Sequence, residues 1–308
     1  MRMDPLTHGL TGYVIASAFR KKDTPLFSPQ LLSAVTCSVV PDLDFITRIH
    51  SIEFFLRYHR GLTHSILVAP LIVLICCAVI KRFWPAMNMR QALALGLLGV
   101  FSHIFLDVIT SYGTRVFYPL NNLAVAWDWC TIIDPYLLLT LIVGSVLCYT
   151  SRSHSTRLAC LTLIICTCFL CFKGAVHASV ASRLYNAMVD LKPSRVSYFP
   201  NFLAPFNWRV VSELDHEFRY GSFNLLTSQL TWIKSLPKMK IPLKQTSLEH
   251  PSVRELVSFS RFPYARQIDE RTLEWRDLRY YRGRDSGFFT MRVYFNKEGH
   301  PSSFSYNF

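Results

Sequence analysis

Charge is what this sequence has least of. Only 17% of its 308 residues are Asp, Glu, Lys or Arg, against roughly 25% in a soluble globular domain. Hydrophobic residues make 51% of the chain. That balance excludes a disordered polymer and argues against an ordinary cytosolic enzyme. Acids are scarcest in the first part. Residues 1–189 hold only Asp4, Asp23, Asp42, Asp44, Glu53, Asp107, Asp128 and Asp134, and the other 12 lie in residues 190–308. That tail in turn lacks cysteine, since all nine precede residue 172. Cys148, Cys160, Cys166, Cys168 and Cys171 sit in apolar runs and read as small buried hydrophobes, not as a disulfide framework or zinc knuckle. A tail without cysteine suits an oxidising compartment. Internal repeats and low-complexity tracts are absent. The start does not resemble a cleavable signal, because Asp4 and His8 interrupt it and the cations follow the first apolar run.

What is present is apolar length. Stretches near 64–80, 92–109, 132–149 and 158–180 span or nearly span a ~30 Å hydrocarbon core at ~1.5 Å per residue. Two shorter ones, 6–19 and 28–41, are tilted spans or a buried hairpin of short helices. The net charge of +13 collects in three short loops, one with Arg20, Lys21, Lys22 and Asp23, one with Lys81, Arg82 and Arg90, and one with Arg152 and Arg157. The connections around 42–63 and 110–131 carry mixed charge that nearly cancels, although Arg48, Arg57 and Arg60 remain in the first. The positive-inside rule puts the three basic loops in the cytoplasm and both termini outside.

The polar tail reads as α+β. Trp208–Leu214 and Glu217–Leu226 are strand-like, with Gly221 a bend. His250–Ser260 forms a short helix with Val253, Leu256 and Val257 on one face. Gly287–Phe295 alternates as a strand, and Asn296–Gly299 is a turn before Ser302–Tyr306. The proline-bearing stretch Lys192–Pro205 is the expected linker. No nucleic-acid module stands out, so direct nucleic-acid binding is not expected. The expected fold is mainly α: a polytopic membrane domain of four to six apolar helices over residues 1–189, then a smaller α+β extracytoplasmic domain over 190–308.

The membrane half keeps its polar residues in five clusters: Thr7–Gly12 around His8, Pro41-Asp42-Leu43-Asp44, His59-Arg60-Gly61-Leu62-Thr63-His64-Ser65, Ser102-His103 with Asp107, and Asp134-Pro135. Ionisable residues in or beside apolar spans are costly and point to function. Under the charge-derived orientation all five lie toward the outward face. His103 and Asp107 are four apart on a helix and can grip one ion. His59 and His64 are five apart, which suits a loop entering a helix with Thr63 as its cap. In Pro41-Asp-Leu-Asp44 one carboxylate can coordinate while the other orients a histidine, and either can serve as base. The expected metal ligands are His8, Asp42, Asp44, His64, His103 and Asp107, with His59 as ligand or acid and Arg60 as a phosphate-binding fork. Mixed imidazole and carboxylate ligands suit zinc first, then manganese or iron. Each cluster also has a plainer reading: membrane His and Asp hydrogen-bond between helices, and Asp134-Pro135 starts one.

THGLTG, PDLD, HRGLTHS, SHIFLDVITSYGT and WDWCTIIDP together resemble the YdjM-like family of LexA-binding, inner-membrane-associated, predicted metal-dependent hydrolases, over roughly residues 1–185. The resemblance implies a bacterial inner-membrane protein distantly related to zinc-dependent phospholipases C, and it implies a link to LexA. It carries over His8, Asp42, Asp44, His59, His64, His103 and Asp107. The function expected is hydrolysis of a phosphoester, such as a phospholipid or lipid-linked substrate, by metal-activated water. A metal or proton transporter, and a membrane scaffold with a structural metal, are the competing classes. A transporter would show polar residues through both leaflets.

Overall fold

The computed structural model describes residues 4–21, 25, 28–238, 242–283 and 288–307. Lys22 and Asp23 of the first basic loop, and Gly287 at the start of an expected strand, lie outside the described residues. The chain divides into two compact units, one of residues 2–46 and 58–177, the other of residues 47–57 and 178–308.

The first unit is helical. It contains α1 (Pro5–Ala18), α2 (Pro29–Val39), the 3-10 turn Val40–Ile46, a second 3-10 turn Leu62–His64, α5 (Ala69–Phe83), α6 (Met89–Val108), α7 (Pro135–Thr150) and most of α8 (Ser155–Ala187). Two short helices, α3 (Thr47–His50) and α4 (Ile52–Tyr58), intervene in the chain before the second 3-10 turn. Four of the helices begin with one device: Asp4, Ser28, Asn88 and Asp134 accept first-turn amide hydrogens. Proline follows at the first turn after Asp4, Ser28 and Asp134, where its missing N–H costs nothing. Asp134-Pro135 is therefore a helix start.

Each expected apolar stretch corresponds to a helix, but length sorts them. Met89–Val108 and the run Arg152–Ala187 are long and apolar enough to cross a membrane, and Ile52–His64 with Ala69–Phe83 would add a third only as one broken span. Helix α8 extends roughly 50 Å at 1.5 Å per residue, more than a bilayer core. Its cysteines correct the composition reading. Cys160, Cys168 and Cys171 are exposed on α8, and only Cys166 is buried there, so most of them face outward from an apolar helix.

Small residues bring α1, α2 and α6 together. A Cβ placed on Gly99 of α6 would lie 2.5 Å from the Ala34 carbonyl oxygen in α2, and one on Gly12 of α1 would lie 2.9 Å from the same oxygen. Without a hydrophobic force between helices in lipid, such close approach is what holds them. Around it pack Cys37, Val73, Cys77, Ala92, Val100 and Ile104, all buried. Gly99 sits one turn before His103, so the α2–α6 contact sets where that histidine stands.

The second unit is an antiparallel sheet domain. Strands β1 (Arg195–Pro200), β2 (Asn207–Glu213), β3 (Glu217–Asn224) and β4 (Gln229–Pro237) form one meander. Helices α9 (Pro242–Ser247) and α10 (Pro251–Phe259) follow. Strands β5 (Pro263–Asp269), β6 (Thr272–Asp277), β7 (Thr290–Phe295) and β8 (Pro301–Asn307) form the other. Phe199, Val211, Phe218 and Leu236 of the first half share a buried core with Phe262, Tyr264, Leu278 and Tyr281 of the second. The bend expected at Gly221 is a register shift between Tyr220 and Gly221. The linker expectation over Lys192–Pro205 is corrected by β1. Its prolines do not exclude a strand, because β1 is an edge strand and Pro200 ends it. Residues 47–57 belong to this unit. Arg57 Nε donates to Glu255 Oε1 at 3.0 Å, and the Ser252 hydroxyl donates to Glu53.

Gly99→Ala is expected to cost about 1–3 kcal/mol through overpacking against the Ala34 carbonyl. Gly9→Ala, whose new Cβ would meet only Val39 Cγ2 at 3.5 Å, is expected to be neutral or slightly stabilising. Thermal unfolding of the two variants in detergent checks the difference, and equal melting temperatures would refute the close-contact account.

Candidate metal centre

Four buried side chains from three chain segments face one point. Asp42 comes from the 3-10 turn after α2, His64 from the short 3-10 turn before α5, and His103 and Asp107 from one face of α6. One donor atom from each lies within 4.8 Å of all the others. His64 Nε2 stands 3.0 Å from His103 Nε2, 3.1 Å from Asp107 Oδ2 and 3.6 Å from Asp42 Oδ1. His103 Nε2 is 3.5 Å from Asp107 Oδ2 and 3.6 Å from Asp42 Oδ1. Donors bound at ~2.0–2.1 Å around one tetrahedral ion stand roughly 3.4 Å apart, so the spacing fits a single ion.

The hydrogen bonds behind the rings decide what faces inward. His103 Nδ1 donates to the Ser38 carbonyl at 2.8 Å. His64 Nδ1 lies 2.9 Å from the Thr63 hydroxyl and 3.4 Å from Asp44 Oδ2. With hydrogen on each Nδ1, both Nε2 atoms turn lone pairs toward two carboxylates. Both Asp42 oxygens and Asp107 Oδ2 are buried without a hydrogen-bond partner. Four converging acceptors repel one another unless a cation lies among them. The donor set therefore fits a divalent ion, and its outer partners match the arrangement that orients metal-bound histidines.

Asp44 is turned elsewhere. It accepts from His59 Nδ1 at 2.7 Å, the Arg60 amide at 3.0 Å and the Thr63 hydroxyl at 2.8 Å. Burial alone would raise its pKa, but the bonds from His59 and His64 hold the carboxyl below the usual carboxylate range. Thr63, expected as a helix cap, instead ties Asp44 to His64. Arg60 adopts a left-handed φ of 54°, and Gly61 follows because a Cβ there would meet the Tyr58 carbonyl at 2.8 Å. This turn carries the Arg60 guanidinium under the donors. Nη2 pairs with Asp107 Oδ1 at 2.6 Å, Nη1 donates to the Thr110 hydroxyl at 3.2 Å, and the group lies over the Tyr112 ring at 4.7 Å. With both Nη atoms so engaged and Nε left without a partner, the guanidinium offers one donor and not the open bidentate fork expected for phosphate.

His8 stands beside the four donors and is not one of them. Its ring lies 3.9 Å from that of His103, and its Nε2 is 3.5 Å from Asp107 Oδ1. The structure thus gathers His8, Asp42, Asp44, His59, Arg60, His64, His103 and Asp107 in one place, with four of them converging. Asp134 does not join them: it caps α7 and lies 3.3 Å from the buried Lys173. Sequence reasoning missed Ser38 and the pairing of Lys173 with Asp134. Ser38 acts through its backbone and left no side-chain signal. Lys173 was visible as a cation in an apolar run.

Asp42→Asn is expected to abolish metal binding, whereas Asp44→Asn, which only loosens the histidines, is expected to weaken it by about 10–100-fold. Metal titration of the two purified variants checks the ranking. Equal losses would place Asp44 among the direct ligands.

The comparisons with known proteins bear on the same region. The "Uncharacterized protein YfhP" of Bacillus subtilis (strain 168) is 22% identical over 288 residues, covering 90% of this chain and 87% of that protein. No solved structure matches. The family described as "YdjM inner membrane protein" matches residues 3–180, which takes in the helical unit and all four converging donors. With more than half of the chain matched, this membrane protein belongs to the YdjM inner membrane protein family.

Proposed function

We propose that the protein is an integral membrane metal-dependent hydrolase of a bacterial inner membrane that cleaves a phosphoester, such as that of a phospholipid or lipid-linked substrate. The observation that carries the reading is the buried convergence of Asp42, His64, His103 and Asp107, with three carboxylate oxygens that no hydrogen bond satisfies. These four residues would hold the ion, zinc first by donor chemistry and manganese or iron after it. When bound, a divalent ion supplies a water of lowered pKa and polarises a phosphoryl oxygen.

The chain's own residues do the rest. The Ser38 carbonyl and the Asp44–Thr63 pair fix the two imidazoles. Asp42 would hold the ion by one oxygen, and its other oxygen, which no hydrogen bond engages, is the group that would take a proton from an attacking water. Asp44 is committed to His59, Arg60 and Thr63, so its role is positioning, and His59 buttresses it. Arg60 pairs with Asp107 Oδ1 at 2.6 Å, so Oδ2 is the Asp107 oxygen that would hold an ion. The LexA link remains an implication of the family resemblance, and nothing in the site bears on it.

The test is elemental analysis of detergent-purified protein beside a His64→Ala/His103→Ala/Asp107→Ala variant, joined to phospholipid hydrolysis with and without a chelator. About one equivalent of metal, lost in a variant that stays folded, and hydrolysis that stops on chelation are the expected results. Unfolding on metal removal would favour a structural ion, and metal uptake into proteoliposomes would favour transport.

We also read the helical unit as multi-pass, with the basic loops cytoplasmic and the sheet domain outside, from the placement of Arg20, Lys21, Lys81, Arg82, Arg90, Arg152 and Arg157. A cysteine introduced in the tail is expected to react with an impermeant label on intact spheroplasts. Labelling only after lysis would reverse the orientation.

A further inference from the structure

Beside the four donors lies a cleft whose polar lining includes Asp4, Thr7, His8, Arg60, Thr110 and Asp134. Asp107 of the donor group also lines it, with Oδ2 unengaged, whereas the carboxylates of Asp4 and Asp134 and the hydroxyls of Thr7 and Thr110 are engaged. Asp4 accepts from the Thr7 amide at 3.0 Å and from the Thr7 hydroxyl. Asp134 accepts from the amides of Tyr136 and Leu137 at 3.1 and 3.3 Å and lies beside Lys173. The Thr110 hydroxyl donates to the Asp107 carbonyl at 2.8 Å.

Apart from Asp107 Oδ2, which faces the donor group, the lining's unmet polar atoms among the described residues are two nitrogens. His8 Nδ1 and Arg60 Nε have no hydrogen-bond partner, although His8 is only 5% and Arg60 only 4% exposed. A buried donor without an acceptor is costly, and an anionic oxygen is the partner that repays most. The rest of the lining is largely apolar, with Leu106, Ile109, Ile132 and Leu137.

We infer that this cleft is a phosphoryl subsite, in which His8 and Arg60 receive the oxygens of a phosphate group and the four apolar residues accompany the hydrophobic part of an amphiphilic phosphoester. The inference rests on the hydrolase reading of the neighbouring donors and assigns the residues that would recognise that reading's phosphoester. A tetrahedral oxyanion fits better than a planar carboxylate, because its oxygens diverge. One can meet His8 and Arg60 while another faces the donor group. Imidazole Nδ1 can donate to P–O⁻ or accept from P–OH, so His8 serves either form of the phosphate. His8 then recognises substrate instead of ligating metal, in keeping with its place outside the four donors.

The test is calorimetric titration of detergent-purified protein, metal-loaded and chelated, with inorganic phosphate and with dioctanoyl phosphatidate, with metal content measured in parallel. Wild-type protein is expected to bind both, and phosphatidate about tenfold more tightly, since it adds apolar burial. His8→Ala is expected to weaken both by about tenfold or more with its metal retained. His8→Gln, which keeps a hydrogen-bonding group, is expected to recover part of the loss. Undiminished phosphate binding by His8→Ala and Arg60→Lys would overturn the inference, as would wild-type protein that holds metal and binds neither ligand. Phosphate binding that survives in metal-free protein and falls in His8→Ala would uphold the subsite while removing the hydrolase reading. Equal affinity for the two ligands would keep the phosphoryl site and remove its lipid part.

Discussion

The constraint on which the helical unit depends is electrostatic. Two carboxylates and two imidazole lone pairs are buried face to face in a domain made of apolar helices. Outside a protein, water would separate them. Here the backbone holds them within 4.8 Å, and the cost of leaving such groups unsatisfied in a low-dielectric interior is several kcal/mol each. A fold tolerates that arrangement when something else is gained from it. The partners behind each ring, the Ser38 carbonyl and the Asp44–Thr63 pair, aim the lone pairs inward instead of letting them turn away.

Close packing makes that aim rigid. Helices α2 and α6 approach through Ala34 and Gly99, and α1 joins them through Gly12. Three of the segments that matter hang from this one contact: His8 on α1, Ser38 and then Asp42 at the end of α2, and His103 with Asp107 on α6. Small residues thus set the geometry of the donor group. They fix the distance over which His103 reaches the Ser38 carbonyl, and with it the direction of Nε2.

Much of the site was legible because charge is so rare before residue 190. His103 and Asp107, four apart on a helix, do converge, and the alternation in Pro41-Asp-Leu-Asp44 does separate an inward carboxylate from an orienting one. Which was which could not be read, because that depends on the loop bearing Arg60 and Thr63 folding back onto Asp44. His8 sits next to the donors for the same reason that it looked like one: helix α1 brings it there, but its ring stacks on His103. In the sheet domain, strands with one buried face were visible, as β2 and β3 were. Strand β6 was not, because all six of its residues are buried, charged Glu274 and Arg276 included, and no alternation marks it. Glu274 pairs with Arg266 and Arg292 as well, a compensation that exists only once three strands are in register.

Charge balance gives the reason for a divalent ion in particular. Metal-ligating imidazoles are neutral, so the buried group consists of Asp42, Asp44 and Asp107 against the single cation Arg60. That leaves two negative charges uncompensated. A monovalent ion would leave one, whereas one divalent ion closes the balance. A second divalent ion would push it as far the other way, and Asp107 Oδ1 is already paired with Arg60 at 2.6 Å. The same charge balance bears on the proposed subsite. Once the donors are neutralised, less negative charge faces the anion inferred for the neighbouring cleft, where His8 Nδ1 and Arg60 Nε are without hydrogen-bond partners. Neutralising the carboxylates therefore favours entry of the anion inferred for the cleft, so that ion and anion would each strengthen the binding of the other.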